Sequence, residues 1–447
     1  MTVTSYVIAV AIFIPLSSYL ASRFGRKTIL LIAASGFIIS SILCGFAKNI
    51  ESLILFRFLQ GSFGASILPL SQAVILDEFP EKERSKALAY WNIGVVLALT
   101  LGPTIGSWLT ILHGWRTVFF INIPFGLLAV LGILKYIDPD DINRCNPFDW
   151  IGFIFLGTTL ACGQFILDRG HDCGWLDDPM IEIAVLILSF STYLFFAHLL
   201  TSKEKIVNTS LFKDKNFTIG MILIFILGAI LLSTLVLLPL FMFSQMEYPL
   251  LDVGTTLAPR GAGLIIGMLI VAHFTDVIGS RNLILIGIGL CAFSLWIMSG
   301  FSSIVSKYEI IAATVVQAVG FGLSFAPVSA ITFSSLPRSY RNEASSLHSL
   351  ARNVGSSIGV SVIITLLSRE AIIRLSGNSN EISTRSNAFQ VIFDRQSFTL
   401  SDDFYRLFIE IERASNSQSY LVCFNILMIA SLVCLPLVFL ITREKSR

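Results

Sequence analysis

VTSYVIAVAIFIPLSSYLASRFGRKTIL, residues 3–30, decides the fold of this 447-residue chain. An apolar run from Val3 to Ala21 is followed at once by Arg23-Phe24-Gly25-Arg26-Lys27, and a second apolar run starts at Thr28. A membrane-spanning helix needs roughly 20 apolar residues, so the stretch is a span, a tight basic turn and a return span. A secretory signal peptide would carry its basic residues before the apolar run; here they follow it, and no small-residue cleavage site is present.

The rest of the chain repeats the pattern. Charged residues make 13% of it and apolar residues 54%, with a mean hydropathy of +0.79. That is about half the charge of a soluble domain, so lipid is the main solvent. The net charge of +2 gives no reason to expect a nucleic-acid partner. Thirteen spans are predicted, at 3–22, 28–47, 52–76, 87–111, 116–136, 150–167, 181–200, 217–243, 258–274, 282–301, 309–335, 345–367 and 419–442. Their length and uniform apolarity exclude barrel strands and require helices. With the Arg23 to Lys27 turn inside, 18 of the 31 Lys and Arg fall on that side and 11 outside, which predicts a cytoplasmic turn and a cytoplasmic C-terminus.

Two halves are visible. Ser22 to Lys27 recurs as Asp276 to Arg281 at an offset of 254; Gly64, Pro69 and Ser71 recur as Gly322, Pro327 and Ser329 at 258; Pro80, Arg84 and Ala87 recur as Pro337, Arg341 and Ala344 at 257. Internal duplication is common in transporters. Subtracting 254 puts the equivalent of span 217–243 before Met1. The sequence therefore divides into a first bundle at 1–136 with five of six helices, linkers with two extra helices at 137–216, and a second bundle at 217–447. The outer segment 368–418 reads as flexible around Gly377 to Asn380. Its Phe404, Leu407, Phe408 and Ile411 then form an amphipathic face after the capping residues Ser401 to Asp403.

Few residues can carry chemistry. Arg57 stands inside its span, beside Gln60 on one helix face. A charge there costs at least about 2.5–3.5 kcal/mol unless paired or hydrated. Two readings stay open, a side chain reaching to the outer surface and a cavity-facing cation coupled to protons. Gly94, Ala98, Gly102 and Gly106 place a small residue at every fourth position, with Pro103 beside them, and Ala351, Gly355 and Gly359 repeat the stripe. Such stripes let helices approach closely, and the proline suits a bending gate. The turns built on Arg23, Gly25, Arg26, Lys27 and on Asp276, Gly279, Arg281 are expected to make contacts between the halves. Arg352 and Asn353 are expected to line a central cavity, and Arg260, after Pro259, to anchor an outer helix end.

Across the spans no Asp or Glu sits near the middle; Glu182 and Glu309 stand at ends. The five histidines show no metal-ligand spacing, no Walker loop is present, and the seven cysteines form no pattern, with Cys145 and Cys173 predicted on opposite sides of the membrane. An enzyme, a metal and a nucleotide-driven pump all lack a motif here.

Leu20, Arg23, Gly25, Arg26 and Lys27 match the characteristic turn of the major facilitator superfamily. Arg57, Gln60 and Gly61 resemble its arginine motif, and Gly102, Pro103 and Gly106 its antiporter motif. Leu257 to Gly261 and Arg352 to Gly359 resemble stretches of the fourteen-span drug:proton antiporters of the EmrB/QacA type. Ser18 and Ser22 stand where the turn motif has Gly and Asp. The resemblance implies an all-α polytopic fold of two six-helix pseudo-repeats, the first incomplete, plus two central helices. It implies proton-coupled efflux of hydrophobic or amphipathic drugs across the cytoplasmic membrane, with the proton gradient as energy source and no cofactor. It also implies a periplasmic adaptor and an outer-membrane channel as partners. The rival readings are export of one specific metabolite or siderophore, and a non-transporting membrane scaffold.

Overall fold

The computed structural model describes residues 2–138, 148–170, 175–202, 205–302, 304–337, 340–393 and 400–441. Among them there are helices and no strands. The first bundle comprises α1 (Thr2–Phe24), α2 (Arg26–Gly45), α3 (Ile50–Gly64), α4 (Ile67–Glu78), α5 (Glu81–His113), α6 (Thr117–Phe120) and α7 (Asn122–Tyr136). Two further helices follow, α8 (Trp150–Arg169) and α9 (Pro179–Thr201). The second bundle comprises α10 (Lys215–Met246), α11 (Leu250–Leu257), α12 (Pro259–Ile278), α13 (Ser280–Met298), α14 (Lys307–Ser334), α15 (Arg341–Phe393) and α16 (Leu400–Phe439). Among the described residues twelve segments are long and apolar enough to cross a membrane, the pairs α3–α4, α6–α7 and α11–α12 each making one. α5 covers the remaining expected span, 87–111.

Local chemistry sets the boundaries. Gly25 and Gly279 have φ of 83° and 82°, a region that glycine enters without penalty. Each lets the chain reverse within one residue, α1 into α2 and α12 into α13. The two turns therefore match in backbone as well as in sequence, which fixes the register of the repeat. Asn49 caps α3 through a capping box with Ser52, and Asp149, Asp178, Asp214 and Ser306 cap α8, α9, α10 and α14. Each cap satisfies backbone N–H groups that water would otherwise have to reach.

In the first bundle α1 packs on α3, and α2 on α3 and α7; in the second, α12 and α13 pack on α14, and α10 on α15. The halves meet where α1 and α4 lie against α15, and α5 against α12 and α14. The extra helices pair with each other, and α8 lies on α1, where Thr4 donates to the Asp168 carboxylate. Asp149 ties this layer together: besides capping α8 at Gly152 N (2.8 Å), it bonds His198 Nε2 on α9 (2.7 Å) and accepts from Ile206 N (3.2 Å).

Two expectations are corrected. Helix α15 continues to Phe393 and α16 begins at Leu400, so Gly377 to Asn380 lie within a helix, and residues 404–411 belong to the last span's own helix. No proline stands between Pro337 and Pro436 to stop either helix. The surroundings of the Phe404 to Ile411 face lie outside the described residues, as do Cys145 and Cys173. The other correction concerns the span expected at 258–274. It runs from Asp252 to Ile278, because the chain breaks only locally at Ala258–Pro259 between α11 and α12.

Candidate functional site

The hydrogen bonds that join the two bundles gather at the end bearing the Gly25 and Gly279 turns. Asp77, one residue from the end of α4, pairs with Arg26 at the start of α2 and with Arg341 at the start of α15. Arg341 Nη1 also donates to the Leu76 carbonyl at 2.8 Å. One turn further into α15, Ser345 donates to the Pro69 carbonyl (2.7 Å) and to Gln72 Oε1 (3.3 Å), and Ser346 lies 3.1 Å from Ser17 Oγ on α1. Glu343 Oε1 accepts from Asn208 N in the linker after α9 (2.5 Å). The Asp77, Arg26 and Arg341 side chains are 17%, 13% and 8% exposed, so solvent screens them far less than a surface pair. This seam is a latch holding one end of the interface shut.

The turn residues take part unequally. Arg26 enters the seam through Asp77, and Ser280, beside Gly279, lies 3.5 Å from Ser85 of α5. Arg23 bonds Tyr19 OH (2.7 Å), Lys27 the Leu134 carbonyl (3.1 Å) and Arg281 the Phe439 carbonyl (3.0 Å), each within its own half. Asp276 is exposed. Sequence reasoning missed Asp77. Its repeat equivalent at offset 257 is Ser334, so the duplication carries no signal for it, and its partner Arg341 lies 264 residues away.

Arg57 and Gln60 are brought together. Arg57 is the eighth residue of α3, roughly 10 Å along the helix. Its Nη1 donates to Gln60 Oε1 (3.1 Å), Gln60 Nε2 donates to Ser41 Oγ (2.7 Å), and Asn122 Nδ2 donates to the same hydroxyl (2.8 Å). The guanidinium carbon stands 4.6 Å from the Phe119 ring centroid and 6.0 Å from that of Tyr6. Those ring faces offset part of the cost of the charge. Among the described residues no carboxylate pairs with it, and Nε has no hydrogen-bond partner. Such an arrangement ties Arg57 into the bundle, which the surface-reaching reading does not account for.

The small-residue stripes differ between the halves. A Cβ on Gly355 would strike the Phe225 carbonyl of α10, and one on Gly359 would lie 2.7 Å from Ala229 Cα. The expected close packing is therefore made in the second bundle. In the first, a Cβ on Gly94 or Gly102 meets nothing within 4 Å, and one on Gly106 only Val118 at 4.0 Å. The partner of α15 is α10, and residues 2–136 contain no helix equivalent to α10. The side chain of Pro103 lies outside the described residues.

Arg352 and Asn353 are half-buried on α15. The Arg352 carbonyl lies 2.8 Å from the position of a Cβ on Gly228, and buried His348 sits one turn before it, 3.4 Å from Ser329 Oγ. Arg260 does not reach the surface. It is 4% exposed and points into the second bundle, because the added turns of α11 place it eight residues inside the span that starts at Asp252.

Comparison with known proteins gives the frame for these groups. A family model described as Major Facilitator Superfamily matches residues 1–360. The chain is 31% identical over 405 residues to the multidrug export protein EmrB of Haemophilus influenzae, covering 90% of this chain and 79% of the relative. It is 32% identical over 369 residues to the fatty acid resistance protein FarB of Neisseria gonorrhoeae, covering 82% and 73%. Among solved structures, the proton:xylose symporter XylE superposes with a TM-score of 0.60 at 14% identity, covering 97% of this chain and 85% of that one, a likeness of fold. The paired bundles and the repeated turns are thus those of a membrane transporter, and the chain belongs to the Major Facilitator Superfamily.

Proposed function

We propose that this chain exports hydrophobic or amphipathic drugs and toxic compounds across the cytoplasmic membrane in exchange for protons, by alternating access between its two bundles. The basic-residue bias supports placing the Gly25 and Gly279 turns, and the C-terminus, on the cytoplasmic side. The Asp77 latch then closes the inner face, and loading from the cytoplasm requires that Arg341 leave Asp77 and that Ser345 leave Pro69 and Gln72.

The observation that carries proton coupling is the Arg57 guanidinium, held within a span with no paired carboxylate among the described residues. Arginine does not release its own proton. Its fixed charge acts electrostatically: it disfavours a proton held nearby and favours the deprotonated state, the sign an exchanger needs if proton and cargo compete. The proton gradient supplies the energy, without nucleotide or cofactor. The relatives' names, multidrug export and fatty acid resistance, support amphipathic cargo. A periplasmic adaptor and an outer-membrane channel are the partners that such a pump would feed in a two-membrane cell.

A second reading, a non-transporting membrane scaffold, is favoured by the unpacked stripe on α5. Everted vesicles separate the two. Under exchange, an imposed pH gradient drives dye accumulation that Arg57→Ala abolishes while the protein stays inserted. Equal transport in wild type and Arg57→Ala removes Arg57 from the mechanism, and no transport in either favours the scaffold.

A further inference from the structure

The second bundle encloses a guanidinium for which the described residues supply few partners. Arg260, in the first turn of α12, donates through Nη2 to Thr234 Oγ1 on α10 at 3.0 Å. Its Nε has no hydrogen-bond partner, and neither polar atom of the Gln317 side chain on α14 has one. Gln317 and Thr234 are both 0% exposed. Cys291 on α13 links the two groups: its thiol lies within electrostatic reach of Arg260 and donates to the Gln317 carbonyl at 3.5 Å. A Cβ on Gly263 would lie 2.7 Å from the Val315 carbonyl, which sets α12 beside this stretch of α14. Arg260, Thr234, Cys291 and Gln317 thus bring buried polar groups from four packed helices of the second bundle, α12, α10, α13 and α14.

The first bundle shows what is unusual here. The turn offset of 254 equates Arg260 with Tyr6, and the offset of 257 equates Thr314 with Arg57 and Gln317 with Gln60. The two halves thus carry a glutamine at the same station, while Arg57 stands on α3 and Arg260 on α12, the counterpart of α1. Arg57 lies over the rings of Phe119 and Tyr6 and bonds Gln60. Among the described residues no ring lies over Arg260, no carboxylate pairs with it, and Gln317 does not bond it. A buried charge without a partner is strongly unfavourable, and buried N–H groups are almost always paired.

We propose that Arg260, Thr234 and Gln317 form a binding site for a small monovalent anion, of the size and charge of chloride, inside the second bundle. The free groups include donors, the Arg260 Nε–H and the Gln317 amide N–H, which complement an anion. One negative charge neutralises the guanidinium, whereas a dianion would leave an excess charge in the same enclosure. Thr234, Cys291 and Gln317 are fully buried, which suits a monoatomic ion better than a cargo-sized acid. The site is separate from the latch and from Arg57, so it stands whether or not proton exchange does.

The test is thermal unfolding of the purified full chain in detergent, followed by tryptophan fluorescence, in sodium chloride against sodium gluconate at equal ionic strength. The expected result is a midpoint that rises with chloride, saturates, follows bromide equally and does not respond to gluconate. Gln317→Leu should raise the half-saturating chloride concentration about tenfold, the loss of a hydrogen bond to a charged group. Arg260→Met should abolish the chloride response and melt above wild type in gluconate, since a neutral side chain of similar volume removes the uncompensated charge. Identical wild-type midpoints in the two salts overturn the proposal without recourse to any variant and leave the polar groups to water. A chloride response that survives both substitutions also overturns it, placing the ion elsewhere.

Discussion

Asp77→Asn should open the latch, and its size can be worked from the seam. Asp77 holds Arg26 within its own half and Arg341 across the interface. Separation of the halves therefore breaks the Asp77–Arg341 bond but leaves Asp77–Arg26 intact. A hydrogen bond to a charged group contributes about 1.5–3 kcal/mol, and with side chains 17% and 8% exposed the loss belongs near the middle, about 2 kcal/mol. That corresponds to roughly a 30-fold rise in the population open at this end. The Arg341 bond to the Leu76 carbonyl remains in the variant, so the bundles still dock and the protein still folds. Ser346 reports the change, being 1% exposed and 3.1 Å from Ser17 across the seam. In a Ser346→Cys background, maleimide labelling in everted vesicles should accelerate by about that factor on adding Asp77→Asn. Arg341→Gln loses the Leu76 bond as well and should accelerate labelling at least as much, and adding Asp77→Asn to it should change little, since the Asp77–Arg341 contact is already gone. A labelling rate within twofold of the parent, or full additivity of the two substitutions, refutes the latch.

Other perturbations separate the two halves and the extra helices. Gly355→Ala drives a Cβ into the Phe225 carbonyl and should destabilise by about 1–3 kcal/mol. Gly94→Ala meets nothing within 4 Å and should stabilise by up to about 1 kcal/mol through helix propensity; melting temperatures of opposite sign check the pair. Asp149→Ala removes a helix cap and the partner of His198 at once. It should cost about 1–2 kcal/mol, read as early proteolysis of the 201–216 linker while the two bundles remain protected.

Much of the architecture is legible in sequence because the membrane leaves few options. Apolar runs of span length, basic turns and offsets of 254–258 locate the helices and the two halves, and Gly25 and Gly279 announce turns that only glycine makes cheaply. Arg57 and Gln60 are close on one helix and so predict their own contact. What escapes is what depends on the partner surface. Asp77 sits at a helix end among other charges, and only folding brings Arg341 to it. Arg260 looks peripheral because Pro259 resembles a helix start; the preceding turn of α11, masked by that proline, carries the span outward and buries the arginine. The stripe of Gly94, Gly102 and Gly106 reads as a packing face, but whether a helix lies on it depends on a neighbour and not on the stripe. The long α15 and α16 were hidden for a different reason: Gly377-Asn378-Ser379-Asn380 has turn composition, yet nothing in it forbids a helix.

The central claim is that cargo and protons move against each other through this chain, and proteoliposomes test it most directly. With a pH-sensitive dye trapped inside, addition of permanently charged or neutral amphipathic compounds should drive cargo in and protons out, so the lumen turns alkaline. The account predicts a response in liposomes holding the wild-type chain, none in empty liposomes, and none with Arg57→Ala inserted at equal density. A panel in which no compound moves protons through the inserted wild-type chain, or in which cargo enters with no change in lumenal pH, contradicts it.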